Sequence, residues 1–123
     1  MEWRRISNVV IRCTLAMACC AILSPSATAS DAPKRIEIAA KRFTYAPSEI
    51  TLKKVEPVVL VLKSQDVAHG VKFKELNLQT EIGKGVTAEL AFTPTQAGDF
   101  VGHCSHFCGA GHGAMTLTLH VTE

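Results

Sequence analysis

The run Cys104-Ser105-His106-Phe107-Cys108-Gly109-Ala110-Gly111-His112-Gly113-Ala114-Met115 gathers two thiols, the imidazole of His112 and a thioether, and a lone histidine, His69, stands upstream of it. Thiolate, imidazole and thioether are soft or borderline ligands, which hold copper better than they hold hard cations. The spacing C-x3-C-x3-H-x2-M narrows the chemistry further. A mononuclear blue-copper centre needs one thiolate, two imidazoles and a weak axial thioether, and this run has one cysteine too many for that. Two cysteines four apart on a tight loop could instead bridge two copper ions through both sulfurs, with one imidazole completing each metal. The other default for two thiols in an oxidising compartment is a disulfide, expected mainly of the copper-free protein.

Cys104, Cys108, His112 and Met115, with His69 closing Ser64-Gln65-Asp66-Val67-Ala68-His69, resemble the CuA copper-binding domain of cytochrome c oxidase subunit II. Nitrous-oxide reductase carries a similar domain. The likeness extends over nearly all of residues 34–123: the Asp-Val-x-His approach to the first ligand, the Gly98-Asp99-Phe100-Val101-Gly102 lead-in, and the Cys-Gly-x-Gly-His run. It implies that His69, Cys104, Cys108 and His112 are ligands of two copper ions. Met115 is then a weak axial ligand as well as the first core residue of the last strand, and His106 contributes only its backbone carbonyl oxygen.

Two positions depart from the family pattern. Oxidase subunits usually place glutamate where this chain has His106. Any residue offers a carbonyl, so the site survives the change, but an imidazole replaces a carboxylate beside the metals and alters the local field. Oxidase subunits also resemble one another in a surface tryptophan that receives electrons from cytochrome c, whereas the single tryptophan here is Trp3. Electrons are therefore expected to pass through His112, at a small apolar rim of Phe107, Ala110, Gly111, Gly113 and Ala114. Asp66 is expected to stiffen its loop by accepting backbone hydrogen bonds, as aspartate commonly does in turns. His103 and His120 are expected to face solvent.

The first 29 residues read as a secretory leader: Arg4, Arg5 and Arg12, then an apolar run from Cys13 to Leu23, then Ala27-Thr28-Ala29 as an A-x-A cleavage site before Ser30. An uncleaved leader would act as an N-terminal anchor. Residues 30–123 are then one exported domain, expected in the periplasm, since a chain of 123 residues holds no second one. Without the leader there remain ten Lys/Arg against ten Asp/Glu, a balance that gives a nucleic-acid partner no electrostatic support. Of the five cysteines, Cys13, Cys19 and Cys20 fall in the leader, so no disulfide framework exists.

From Arg35 the chain alternates with the period of half-buried strands, as in Ile36/Ile38 and Ile50/Leu52 on either side of Pro47. Val58-Val59-Leu60-Val61-Leu62 is a continuous apolar run, as in a central strand. A short strand near Val71–Phe73, a loop from Asn77 to Gly85, an alternating strand over Val86–Phe92, a turn at residues 93–98, and strands over Phe100–His103 and Met115–Val121 complete the reading. About seven short strands without an amphipathic helix predict an all-β, antiparallel sandwich, which the resemblance narrows to the cupredoxin-like Greek key. No general base, activated serine or phosphate loop is present, so the chain is not expected to be an enzyme by itself. The leading expectation is a periplasmic carrier of single electrons that docks transiently on a redox protein such as a c-type cytochrome or a terminal oxidase. Alternatives are a copper chaperone or sensor using the same loop, and an accessory subunit of a terminal oxidase. A membrane is involved only through an uncleaved leader, and the likeness covers the copper domain alone, as in a free-standing version of it.

Overall fold

The computed structural model describes residues 32–123; the expected leader lies outside them. Nine strands form two packed sheets, which bears out the all-β sandwich. They are β1 Lys34–Lys41, β2 Thr44–Ala46, β3 Glu49–Lys53, β4 Val58–Ser64, β5 His69–Phe73, β6 Leu78–Ile82, β7 Thr87–Phe92, β8 Gly98–His103 and β9 Thr116–Thr122. One sheet runs β2-β1-β4-β7 and the other β3-β9-β8-β5-β6. The one helical element among the described residues is a single 3-10 turn, His112–Ala114. No described helix is long and apolar enough to cross a membrane.

The two strands beyond the expected seven are β2 and β6. β2 has three residues, too few to display a period. β6 replaces the middle of the loop expected from Asn77 to Gly85. It is an edge strand whose Gln79 and Glu81 are exposed and of which only Ile82 is fully buried, so its apolar alternation is weak. The expectation of purely antiparallel pairing is also corrected: β1 pairs with β4, and β3 with β9, in parallel. Parallel neighbours need a crossover between them. Here the chain supplies it by passing through the opposite sheet, since β3 lies between β1 and β4 in sequence but belongs to the other layer.

The apolar alternation was read correctly where it was strong. Ile50 and Leu52 of β3, and Leu117, Leu119 and Val121 of β9, point into the core beside Val71, Phe73 and Phe100. The other layer answers with Ile38, Leu60, Leu62 and Leu90. β4 is flanked by β1 and β7, as its unbroken apolar run requires. Gly102 in β8 has a packing reason: a Cβ there would come within 2.5 Å of the buried Phe73 ring.

Candidate metal centre

Two chain reversals at one end of the sandwich bring the ligand-type residues together. β4 ends at Ser64, and the corner 65–68 carries the chain to the other sheet, where β5 begins with His69. β8 ends at His103 and β9 begins at Thr116, directly paired, so residues 104–115 form a closed loop above that pair. The Cys104 amide donates to the Met115 carbonyl at 3.1 Å and ties the base of the loop. β5 is the neighbour of β8, with Lys72 opposite His103, so His69 extends beyond the end of β8 and meets the loop. The approach is close: a Cβ on Gly70 would collide with the Ser105 hydroxyl.

All six sequence candidates converge there. One nitrogen of His69 and the sulfurs of Cys104 and Cys108 lie within 4.8 Å of one another, and all three residues are buried. The two sulfurs are 3.8 Å apart and unbonded. Met115 Sδ and His112 Nδ1 each lie 3.9 Å from Cys108 Sγ. The Cys104 thiol donates to the His106 carbonyl oxygen at 3.1 Å, while the His106 side chain is exposed. His103 is exposed, as expected. His120 is not free in solvent: it stands on the outer face of β9, half-buried, with Nδ1 2.7 Å from Asp99 Oδ1.

The state of His69 follows from its partners. Its Nε2 is 2.7 Å from Asp66 Oδ1, and a carboxylate only accepts, so Nε2 carries the hydrogen. Asp66 accepts two backbone N–H groups as well, from Arg42 at 2.8 Å and from Val67 at 2.6 Å. Partial burial works against its charge, but these donors and His69 outweigh it and hold the carboxyl down to about 2. The remaining nitrogen, His69 Nδ1, is the one buried side-chain nitrogen or oxygen among the described residues that has no hydrogen-bond partner. Leaving such a group unpaired costs about 1–3 kcal/mol. An unpaired nitrogen in a buried histidine that is gathered with two buried thiols is what a soft or borderline metal ion would satisfy. Burial, and then Cys104, push the Cys108 thiol above its ordinary value, with Arg42 pulling the other way. Metal binding must therefore displace protons from the sulfurs.

Three contributors carried no signal in the sequence: two come from the reversal between β1 and β2 and one from β2 itself. Arg42 Nε donates to the Cys108 carbonyl at 2.8 Å while its amide holds Asp66, so one residue ties both ligand-bearing segments. The Phe43 ring covers Gly109 and Gly111, where a Cβ would meet it; Gly109 also has a φ of 137°, which favours glycine. The Tyr45 hydroxyl donates to the Gly70 carbonyl, next to His69. Burial first, and the neighbouring Cys104 second, raise the Tyr45 phenol well above its usual value, so it remains a donor.

The comparisons place the fold in a known family. The family model for the cupredoxin-like domain matches residues 13–117. A chain of a haem–copper terminal oxidase dimer is 25% identical with a TM-score of 0.65, over 76% of this chain and 67% of that one. The periplasmic domain of subunit II of cytochrome oxidase from Bradyrhizobium japonicum aligns with a TM-score of 0.67 at 17% identity, over 73% of this chain and 84% of that one. The metal-binding domain of a Cu(I)-exporting P-type ATPase from Streptococcus pneumoniae, with Cu(I), gives a TM-score of 0.58 at 24% identity, over 72% and 85%. At these identities the last two show likeness of fold.

Proposed function

This chain belongs to the family of cupredoxin-like domains, and within it we propose a CuA-type centre of two copper ions that passes single electrons between redox proteins outside the cytoplasm. The observation that carries this reading is buried His69, whose Nδ1 has no partner, gathered with two buried, unbonded thiols. Cys104, Cys108, His69 and His112 would hold the ions, with Met115, near the Cys108 sulfur, and the His106 carbonyl, near the Cys104 sulfur, as weaker donors. A copper pair of this kind takes up and releases one electron at a time.

The chain's own residues supply the rest. Asp66 fixes the His69 tautomer and ring, Arg42 joins the two ligand segments, and the β framework on either side restrains the loop ends. Such restraint keeps the ligand arrangement similar in both oxidation states, which lowers the reorganisation that electron transfer requires. No residue in this arrangement is assigned a part in bond-making chemistry, so catalysis would belong to a partner such as a terminal oxidase, and the similarity to an oxidase chain supports that kind of association. The expected leader would deliver the domain to the periplasm.

Copper stoichiometry with absorption and electron-spin spectra tests the proposal. Two coppers per chain, a purple chromophore and an electron-spin signal shared over both ions are expected, reversible on reduction. One copper per chain, or retention of copper after Cys104 and Cys108 are both exchanged for serine, would overturn it. A second reading, a chaperone or sensor that holds copper for delivery, is favoured by one feature: a surface cleft reaches each cysteine, one lined by Cys104 and the other by Cys108. Colourless Cu(I) that is released quickly to a chelator would select it.

A further inference from the structure

Although Lys/Arg and Asp/Glu are equal in number over the domain, they are not evenly spread along the sandwich. Lys41 ends β1 and Arg42 follows it, Lys63 is the penultimate residue of β4, and Lys84 follows β6, whose Ile82 is paired with His69. Lys72 faces His103 across β5 and β8, just below the ligand loop. All five cations are exposed and at or near the end that bears the ligands. Among the described residues, two carboxylates accompany them. Asp66 is turned inward onto the Arg42 and Val67 amides and the His69 ring, and Glu81 is paired with Gly70. Elsewhere the cations are more often matched: Arg35 pairs with Glu89, and Lys54 with Glu123.

The same end carries an apolar tip. Phe107 is 75% exposed, and its ring centroid is 5.7 Å from that of His112, whose Nδ1 is 3.9 Å from Cys108 Sγ. Clefts open on both sides of the ligand loop. One is lined by Lys72, Lys74, His103, Cys104 and Ser105. The other is lined by Arg42, Val67, Ala68, His106, Phe107, Cys108 and Gly109, and among the described residues no carboxylate lines either.

We propose that this end is the docking face for a redox protein whose own surface is acidic around its exposed cofactor edge. Phe107 is the apolar centre of the contact and the ring of lysines steers the encounter. A neutral domain with its positive charge gathered at one end would meet such a partner in the productive orientation. Complementary charge of this kind raises association rates by about 10- to 1000-fold, an effect that salt removes. The route inward is short, from Phe107 to His112 to the Cys108 sulfur. The inference rests on the electron-transfer reading and names the partner that reading leaves open.

The test uses the copper-loaded domain in stopped-flow exchange with an acidic and a basic c-type cytochrome, and with the small probes ferricyanide and hexaammineruthenium. The acidic cytochrome is expected to react faster at low salt and to slow about tenfold as ionic strength rises. The Lys72→Glu/Lys84→Glu double variant, altered outside the ligand set, should lose about tenfold with that partner and gain with the basic one. In a second arm, nuclear-resonance titration of the copper-free domain with the acidic cytochrome should move the amide signals of Phe107, Lys72 and Lys84. A faster basic cytochrome, rates indifferent to the charge reversal, or shifts confined to the opposite end would overturn the docking face. Failure to exchange electrons with any protein or small probe would instead overturn the electron-transfer reading, while the titration would still decide the docking face.

Discussion

The corner between β4 and β5 brings His69 to both sulfurs, the loop between β8 and β9 brings His112 to the Cys108 sulfur, and the two histidines are held by different means. His69 is fully buried and its ring is gripped by Asp66, which is itself fixed by two backbone amides from separate segments. His112 is half-buried on the 3-10 turn. Its backbone is held by local bonds, its own amide to the Gly109 carbonyl at 3.1 Å and the Met115 amide to its carbonyl at 3.3 Å. Its ring touches Phe107 and the Cys108 sulfur. One histidine is built into the framework of the fold, and the other rides on a surface turn. The difference assigns them unequal parts: His69 anchors the site, and His112 connects it to the surface.

The strongest way to break this contrast is to remove the grip on each ring. Asp66→Ala strips His69 Nε2 and two backbone amides of their acceptor. It is expected to cost about 2–3 kcal/mol of stability, since unsatisfied buried donors are expensive, and to weaken metal binding about 10- to 100-fold. His112→Ala should stay within about 0.5 kcal/mol of the parent when copper-free, as surface substitutions usually do, while still losing a ligand. Thermal melts of the two copper-free variants check this, and equal losses would mean that the two histidines are held alike.

A smaller effect is expected where the loop packs under Phe43. Gly111→Ala would drive a methyl group into that ring. Because Phe43 is 38% exposed it can swing outward, so the cost should be near the lower end of the overpacking range, about 1 kcal/mol. Chemical denaturation of the copper-free protein measures it, and no change would show that Phe43 does not secure the loop.

An effect of similar size sharpens the part played by Asp66. Its carboxyl is held below the ordinary value, at about 2, so the folded state favours the ionised form. The stability this confers is present above the unfolded pKa of about 4 and is lost as pH falls through about 2. Partial exposure limits it to about 1 kcal/mol. Acid titration of copper-free protein should show this loss in the parent and a shallower slope in Asp66→Asn.

Much of the site was legible because its parts are local. Cys104, Cys108, His112 and Met115 lie on one short loop, and their spacing alone limits the chemistry. The strands that were read correctly are those whose alternating residues are buried, such as β3 and β9. β6 was missed because a polar edge strand looks like a loop, and β2 because three residues have no visible period. Arg42 and Tyr45 were missed for another reason. Arg42 reaches across 66 residues of sequence to the Cys108 carbonyl, and Tyr45 across 25 to Gly70. Nothing in Lys41-Arg42-Phe43-Thr44-Tyr45 distinguishes it from an ordinary strand reversal.

By itself, then, the sequence determined the donor atoms, their order along the loop and the all-β character of the chain, because ligand chemistry and strand periodicity act over a few residues. The tertiary structure alone decided that β5 lies beside β8, so that His69 meets the cysteines, and that Asp66 claims Nε2 and leaves Nδ1 without a partner. It also decided that β1 and β2 lend the site a third support, and that cations from four separate strands and turns gather at one end. These are outcomes of strand pairing between segments remote in sequence, which no local pattern encodes.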